Sequence, residues 1–487
     1  MSLKQKAIKG IIWSGIQNWG SQAGSLIVFF VLARLLLPAD FGLVALANTF
    51  LIFFDIFVDQ GFSLALIQRH EIEVEHLDTA FWTQICLGLS FTIFGLVSAN
   101  LIAEIFQQPL LTPILQWFST LAFLRSLSIV QQAILRRKFE FKKIAIRALL
   151  GILVSGSVGI TLALLDFGVW SLVGQQLTFE VVGVIAFWSL SDWRPRLRVS
   201  TRHLKDLSGF GISIFFSNIL KFFNQNSDNL LIGYFLGEVA LGYYAVAYRI
   251  LQVLTQLLVH TGNQVAMPML SRLQGDSERF IKGFYKLIKL ASVVTLPIFL
   301  GVIALAAELV ITVFGEKWEA SIPVIQILSI GGIIHLILFF NRSVFVAIGK
   351  PFWRLRLEIL NVSLNIAACM LAVRWGIVAV AFAYILSDLL VVPASLLVLR
   401  QLTALSLRVY FKQLSSPLVC AVLMMVLTWL AEYGLAQILE PKIVLLICTL
   451  LGAMLYTFCL RLLAPALFQE LWELVVIGFL KRREKPS

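Results

Sequence analysis

Nine ionisable side chains lie inside long apolar runs of this 487-residue chain: Asp55, Asp59, Arg125, Glu180, Lys221, Asp228, Arg249, Arg342 and Asp388. A charge at the centre of a bilayer costs roughly 2.5–3.5 kcal/mol, so a set of this size facing lipid would cost roughly 20–30 kcal/mol. A fold with a margin of about 5–15 kcal/mol cannot carry that. Most of them must line a watery cavity or pair with one another. Their spacing sorts them. Ser217, Lys221, Asn224 and Asp228 recur at intervals of four, three and four residues, which is one face of a helix, and Asn218 and Gln225 widen the stripe. Arg249, Gln252, Gln256, His260 and Asn263 share a second face. Asn18 and Gln22 stripe the first apolar run together with Ser14, Ser21 and Ser25, and Asn48, Asp55 and Asp59 stripe the next. Lys221, Asp228, Arg249, Asp55 and Asp59 read as substrate or ion contacts in a cavity, with packing pairs as the competing reading. Arg147 and Arg342, close to the ends of their runs, fit snorkelling. Glu180 and Asp388 fit hydrogen bonds within their own half, and His260 is either a titrating group or a satisfied interior histidine. Tyr243, Tyr244 and Tyr248 can stack on sugar rings, although an interfacial aromatic belt accounts for the first two equally well.

The elements that must position these groups follow from composition. Hydrophobic residues make up 59% of the chain, charged residues 14%, and the mean hydropathy is +0.90. A soluble chain carries about 25% charged residues. The balance excludes a water-soluble enzyme, a disordered chain and a disulfide scaffold, and leaves an all-α integral membrane protein. Apolar runs predict fourteen spanning helices, at 10–33, 41–66, 80–103, 111–134, 144–165, 169–190, 208–233, 241–266, 287–311, 320–347, 357–373, 376–399, 413–434 and 442–463. The first run follows Lys4, Lys6 and Lys9 and reads as a retained span rather than a cleaved leader.

With the N-terminus placed in the cytoplasm, the loops on that side carry 30 Lys and Arg and the opposite loops carry 4. The positive-inside rule then puts both termini in the cytoplasm. The net charge of +12 is topology rather than a nucleic-acid footprint. Residues 466–487 read as an amphipathic cytoplasmic tail, with Leu467, Leu471, Leu474 and Gly478 on one side and a basic end that suits anionic lipid headgroups. Cys86, Cys369, Cys420, Cys448 and Cys459 all fall in apolar runs and behave as small hydrophobes. No phosphate-binding glycine loop, HExxH pair or sequence cluster of Cys and His is present, so neither a metal nor a cofactor is expected, and no catalytic constellation emerges.

One internal repeat stands out. Leu36, Gly42, Ala45 and Ala47 match Leu236, Gly242, Ala245 and Ala247 at an offset of 200 residues. Six spans separate the copies, so the halves share an orientation, as in a parallel pseudo-two-fold repeat. The expected organisation is a first lobe over 1–190 (spans one to six), a cytoplasmic linker at 191–207 and a second lobe over 208–399 (spans seven to twelve). Two extra spans follow within 400–465. A cavity between the lobes is the expected seat of the polar stripes.

Several stretches carry a resemblance when taken in order: Val31–Gly42 (VLARLLLPADFG), Asp59–Asp78 (DQGFSLALIQRHEIEVEHLD), Ala133–Phe141 (AILRRKFEF), Gly168–Leu177 (GVWSLVGQQL) and Asp228–Ala247 (DNLLIGYFLGEVALGYYAVA). The chain resembles the polysaccharide transporter family, the Wzx-type lipopolysaccharide, O-antigen and colanic-acid exporters of the MOP flippase superfamily. The likeness is clear over the first 260 residues and rests on helix pattern beyond them. It implies two six-helix lobes around a central cationic cavity in the bacterial cytoplasmic membrane. It also implies a substrate, a polyprenyl-pyrophosphate-linked oligosaccharide moved from the inner to the outer leaflet by alternating access coupled to an ion gradient. On that reading Lys221, Arg249 and Arg125 meet the pyrophosphate. Asn18, Gln22, Asn224, Gln225, Gln252 and Gln256 meet the sugars, and Asp55, Asp59 or Asp228 exchanges a proton or sodium ion. Membrane lipids surround the protein, and a glycan polymerase is a candidate neighbour. Two other readings stay open. A drug/cation antiporter of the same superfamily calls for carboxylates on the first span, which has none. A membrane glycan polymerase or ligase calls for catalytic acids on long outer loops, and these loops are short.

Overall fold

Prolines, glycines and short polar runs set where the helices begin and end. In the computed structural model, residues 3–69, 71–272, 276–403 and 405–473 are described, and every regular element among them is helical. Helix α1 spans Leu3–Leu35 and α2 spans Pro38–Asp59. Pro38 opens α2, where its missing N–H is no loss, and the Asp40 carboxylate accepts from the Leu37 N–H at 2.9 Å. The run expected to continue to residue 66 stops at Asp59. Gln60 (φ 41°) and Gly61 (φ 78°) both turn left-handed, and the short α3, Phe62–Gln68, follows. Then come α4 (Val74–Ile105), α5 (Leu111–Arg137), α6 (Phe141–Leu164), α7 (Trp170–Leu190) and α8 (Thr201–Arg272). The later helices are α9 (Ser277–Ala304), α10 (Ala306–Val313), α11 (Ile322–Ala347), α12 (Pro351–Ala372), α13 (Ile377–Leu402), α14 (Leu407–Leu435) and α15 (Pro441–Leu463).

Among the described residues, twelve segments are long and apolar enough to cross a membrane. The first helix is long enough but more polar, and the segment Phe215–Gln256 is counted once although it holds two helices. Those two meet at Gly237 (φ 82°, ψ −178°), a conformation that glycine adopts without a Cβ penalty. The break falls between the spans expected at 208–233 and 241–266. The protein is a multi-pass, all-α membrane protein.

The chain divides into two compact units. The first holds Met1–Val246 with Cys369–Ile377, and the second holds Ala247–Ala368 with Val378–Ser487. In the first unit small residues let helices approach closely, the usual packing device where lipid removes any hydrophobic drive between helices. Gly88 and Gly95 of α4 face Ser126 and Ser119 of α5, and Gly156 of α6 faces Val28 of α1. Phe62, Leu66, Phe81 and Val130 form an apolar cluster joining α3, α4 and α5. Residues 192–206 are bonded along the start of α4. The Arg196 N–H donates to Asp78 (3.1 Å), the Ser200 N–H to Thr79 Oγ1 (3.1 Å) and the Trp82 indole N–H to the Arg196 carbonyl (2.8 Å).

The repeat seen in the sequence becomes a contact within this unit. A Cβ on Gly42 would land on the Glu238 carbonyl, and a Cβ on Gly242 would land on the Pro38 carbonyl. Residues 38 and 238, like 42 and 242, are separated by the same 200 positions, so the crossing is reciprocal, as a two-fold contact must be. Glycine is required at both places because backbone, not a movable side chain, fills the space.

In the second unit Val293, Leu296 and Leu300 of α9 pack with Met424 of α14 and Cys459 of α15, and the Tyr456 hydroxyl donates to the Val293 carbonyl at 2.8 Å. Leu467 is buried against this core with Leu471 beside it, so these two leucines face protein rather than the lipid surface expected of them. Residues 465–473 are helical, and their apolar side joins the cluster formed by α9, α14 and α15. Residues 474–487, the basic end of the expected tail, lie outside the described residues.

Candidate functional site

The polar interior of the first unit centres on Arg125 of α5. Its guanidinium pairs with Asp55 of α2 through Nη1 and with Glu180 of α7 through Nε at 2.8 Å. Arg147 of α6 reaches the other Glu180 oxygen at 3.5 Å, and its guanidinium lies 4.5 Å from the Phe179 ring centroid. Arg147 therefore turns inward as part of the cluster rather than snorkelling. Gly183, one turn beyond Glu180, leaves the space its guanidinium fills. Two carboxylates against two guanidiniums make the cluster neutral, which is how ionised groups persist in a low-dielectric interior. The cluster is open on one side. The side chains of Asp55 and Arg125 are 29% and 26% exposed, whereas that of Glu180 is only 10% exposed. Two turns before Asp55 on α2, Asn48 accepts from the Gln176 amide of α7 at 3.0 Å.

Helix α8 runs beside α2. Phe222 meets Phe53 with ring centroids 5.3 Å apart, and Phe215 meets Phe57 at 5.0 Å. The expected stripe on α8 does not share one environment. Lys221 and Gln225 are exposed and Asn224 is half-buried, while Asp228 is 1% exposed. Asp228 accepts from the Tyr244 hydroxyl at 2.7 Å and from the Asn229 N–H at 2.9 Å. Tyr244 is itself fully buried, so it serves neither as a sugar platform nor as part of an interfacial belt. Asp59 sits past the end of the ion cluster and accepts from the Ser63 N–H at 3.3 Å. Asn18 and Gln22 are half-buried on α1.

The second unit carries the remaining expected residues. Arg249 donates to Gln252 at 3.1 Å, and Gln256 is exposed. A second buried cluster appears here. His335 of α11 lies 2.8 Å from Asp388 of α13, Asn361 of α12 donates to the other Asp388 oxygen at 2.8 Å, and the Tyr384 hydroxyl is 3.3 Å from His335. Arg342 pairs with Glu358 at 3.3 Å. In the order of expected spans, the fourth and sixth bear Arg125 and Glu180, and the tenth and twelfth bear His335 and Asp388. The repeat thus places a basic–acidic pair on the same two spans of each half. Sequence reasoning did not single out His335, although it lies two turns before Arg342 on the same helix face.

A third group lies where α4 and α8 begin. Glu73, His76 and His203 each offer a ligand atom within 4.8 Å of the others. The two histidines are far apart along the chain, so no local Cys/His spacing announces them.

A membrane fold with paired charges in its interior and exposed polar groups beside them is consistent with the comparisons. Over 342 residues the chain is 28% identical to the lipopolysaccharide biosynthesis protein WzxC of Escherichia coli, covering 69% of this chain and 68% of that protein. Over 475 residues it is 26% identical to the succinoglycan biosynthesis transport protein ExoT of Rhizobium meliloti, covering 96% and 95%. Among solved structures, the lipid II flippase MurJ in its inward closed conformation superposes with a TM-score of 0.76 at 16% identity, covering 94% of this chain and 99% of that one. That likeness is one of fold. Residues 31–323, more than half of the chain, match the polysaccharide biosynthesis protein family, and the chain belongs to that family.

Proposed function

We propose that the protein is a flippase for a polyprenyl-pyrophosphate-linked oligosaccharide, carrying it from the inner to the outer leaflet of the cytoplasmic membrane by alternating access between two lobes. The observation that carries this reading is the open Asp55–Arg125 pair in an apolar fold, with an exposed Lys221 on α8, the helix whose Phe222 meets Phe53 of α2. Cations kept inside an apolar fold suit an anionic head group. The family membership and the names of the relatives support the same class of cargo. The lipid tail stays in the bilayer, so only the pyrophosphate and sugars need the polar path. Arg249 supplies a further cation in the second unit, and Asn18, Gln22, Asn224, Gln225, Gln252 and Gln256 supply amides for the sugars.

Ion coupling has a concrete route through this cluster. Arg125 Nη1 is held by Asp55, and a phosphate oxygen competes for the same donor. A proton arriving on Asp55 weakens that pair and releases the guanidinium to the substrate. Asp59 and Asp228 accept from uncharged donors instead, which leaves Asp55, paired with a guanidinium, as the coupling group best placed to sense the substrate. Both termini lie in the cytoplasm on the Lys and Arg distribution. The test in cells is surface glycan export from a deletion strain complemented with Lys221→Ala, Arg249→Ala and the double variant. Export falls at least tenfold in the double variant while drug susceptibility stays at the wild-type level. Unchanged export in the double variant would remove the assigned roles, and a drug-susceptible deletion strain with normal export would favour a drug/cation antiporter.

A further inference from the structure

We propose that Glu73, His76 and His203, with Asp206 as fourth ligand, form a binding site for a divalent transition-metal ion that fastens the first turn of α8 to the first turn of α4. His203 and Asp206 stand three positions apart in α8 and so share one side of it, while Glu73 is the extended residue that caps α4 and His76 lies in that helix's first turn. Glu73 Oε2 is 3.2 Å from His203 Nε2, His76 Nε2 is 4.0 Å from Asp206 Oδ2, and the two imidazole rings meet edge-on with centroids 4.2 Å apart. Ligands at about 2.0–2.1 Å from a tetrahedral zinc stand about 3.4 Å from one another. The ligand atoms of Glu73, His76 and His203, all within 4.8 Å of one another, reach that by closing at most about 1.4 Å.

Burial supplies the independent observation. His76 is 2% exposed, yet its Nε2 has no hydrogen-bond partner, and the buried Nδ1 of His203 has none either. A buried polar atom is ordinarily paired, so an orphaned imidazole nitrogen aimed at a carboxylate cluster calls for an explanation. His76 Nδ1 accepts from the Glu73 N–H at a long 3.3 Å, so in the neutral ring Nε2 carries a proton with no acceptor. A metal at Nε2 requires the other neutral tautomer, with the proton moved to Nδ1, so the one contact given up is the weak one from the Glu73 N–H at the helix start. Arg69 holds Asp206 Oδ2, the oxygen that also faces His76, at 3.3 Å and so fixes the carboxylate, the role an outer partner plays for a metal ligand. Two imidazoles with two carboxylates select zinc or a neighbouring first-row ion over magnesium or calcium, which prefer all-oxygen shells.

The position gives the ion a consequence. Residues 192–206 are already laced to α4, and the ion closes the last point before α8 departs.

The test uses tag-free, full-length protein purified in detergent and stripped with a chelator, titrated with Zn²⁺ by calorimetry and assayed for bound metal by elemental analysis. Wild type takes up about one zinc per chain, and its melting temperature rises with zinc. His203→Gln and Glu73→Gln weaken binding by at least about tenfold and lose the zinc-dependent rise. Glu75→Gln, which removes the neighbouring salt bridge to Arg198 but no proposed ligand, binds within about threefold of wild type. His203 and Glu73 are chosen because they are less buried than His76, and the variants can be compared in their melting without metal. Substoichiometric zinc uptake by wild type, or equal affinity in His203→Gln and Glu73→Gln, overturns the proposal.

Discussion

Arg125 is the residue on which the polar interior of the first unit turns. Removing it strands Glu180 with only a 3.5 Å contact from Arg147 and leaves Asp55 without its guanidinium. Breaking one side of a largely buried ion pair costs roughly 3 kcal/mol, because the remaining charge stays desolvated. Arg125→Ala should therefore melt well below wild type in detergent, and Arg125→Ala combined with Glu180→Gln should lose less than the two single changes summed. A melting curve for Arg125→Ala that overlays wild type would contradict the cluster. Tyr244 makes a second case. Its hydroxyl faces a buried carboxylate, so Tyr244→Phe should lose about 1–3 kcal/mol, whereas Asp228→Asn, whose oxygen can keep the Asn229 N–H while its NH2 donates to the Tyr244 oxygen, should lose less. Thermal unfolding of the two variants decides the order. These partnerships were only partly legible from sequence. Helical spacing put Lys221 and Asp228 on one stripe, but burial separates them, because Phe222 and Asn226 turn that stretch of α8 into the packed interior. Arg125, Asp55 and Glu180 sit 55 and 70 positions apart in pairs, and no periodicity reports a contact of that range.

Helices bring such residues together, and their crossing points carry their own predictions. Gly42 and Gly242 face backbone carbonyls of the opposite repeat copy, so Gly42→Ala or Gly242→Ala forces α2 and α8 apart. A loss of about 2 kcal/mol is expected from overpacking at a site that cannot yield. Gly15 of α1 has open space around its missing Cβ, so Gly15→Ala should instead gain up to about 1 kcal/mol from helix propensity. If thermal melting ranks all three alike, the reciprocal crossing is not what the glycines serve. At the other end of the chain, Lys286 donates to Glu470 at 2.8 Å with Lys289 at 3.7 Å, and that hydrogen bond holds the Glu470 carboxyl below its ordinary value. A depressed carboxyl stabilises docking fully above its unfolded value, and the contribution disappears as pH falls through the lowered one. Limited proteolysis after α15 should accelerate at acidic pH, and Glu470→Gln should remove that pH dependence. Helix existence was legible because apolar runs of span length are hard to mistake. The end of α2 was not, since two left-handed residues at Gln60 and Gly61 interrupt an apolar run that carries no proline there.

The whole molecule is a two-unit helical membrane protein of the polysaccharide biosynthesis protein family. Its repeat was readable from four matched pairs, and the structure turns one of them, Gly42 and Gly242, into a physical crossing. The metal-ligand group at the start of α4 and α8 was not readable, because folding alone brings His76 beside His203. The charge distribution predicts that a cysteine placed at Asp166 reacts with an impermeant reagent from outside the cell and that one placed at Lys350 does not. The central claim is movement of a lipid-linked glycan along a path lined by the charges of this fold. It is tested most directly by reconstituting the purified protein in proteoliposomes and following purified polyprenyl-pyrophosphate-linked oligosaccharide across the bilayer, with and without an imposed proton or sodium gradient. The account predicts gradient-stimulated transfer by wild type and at least tenfold slower transfer by the Lys221→Ala/Arg249→Ala variant. Transfer no faster than in protein-free vesicles, or equal rates for the two proteins, would contradict it.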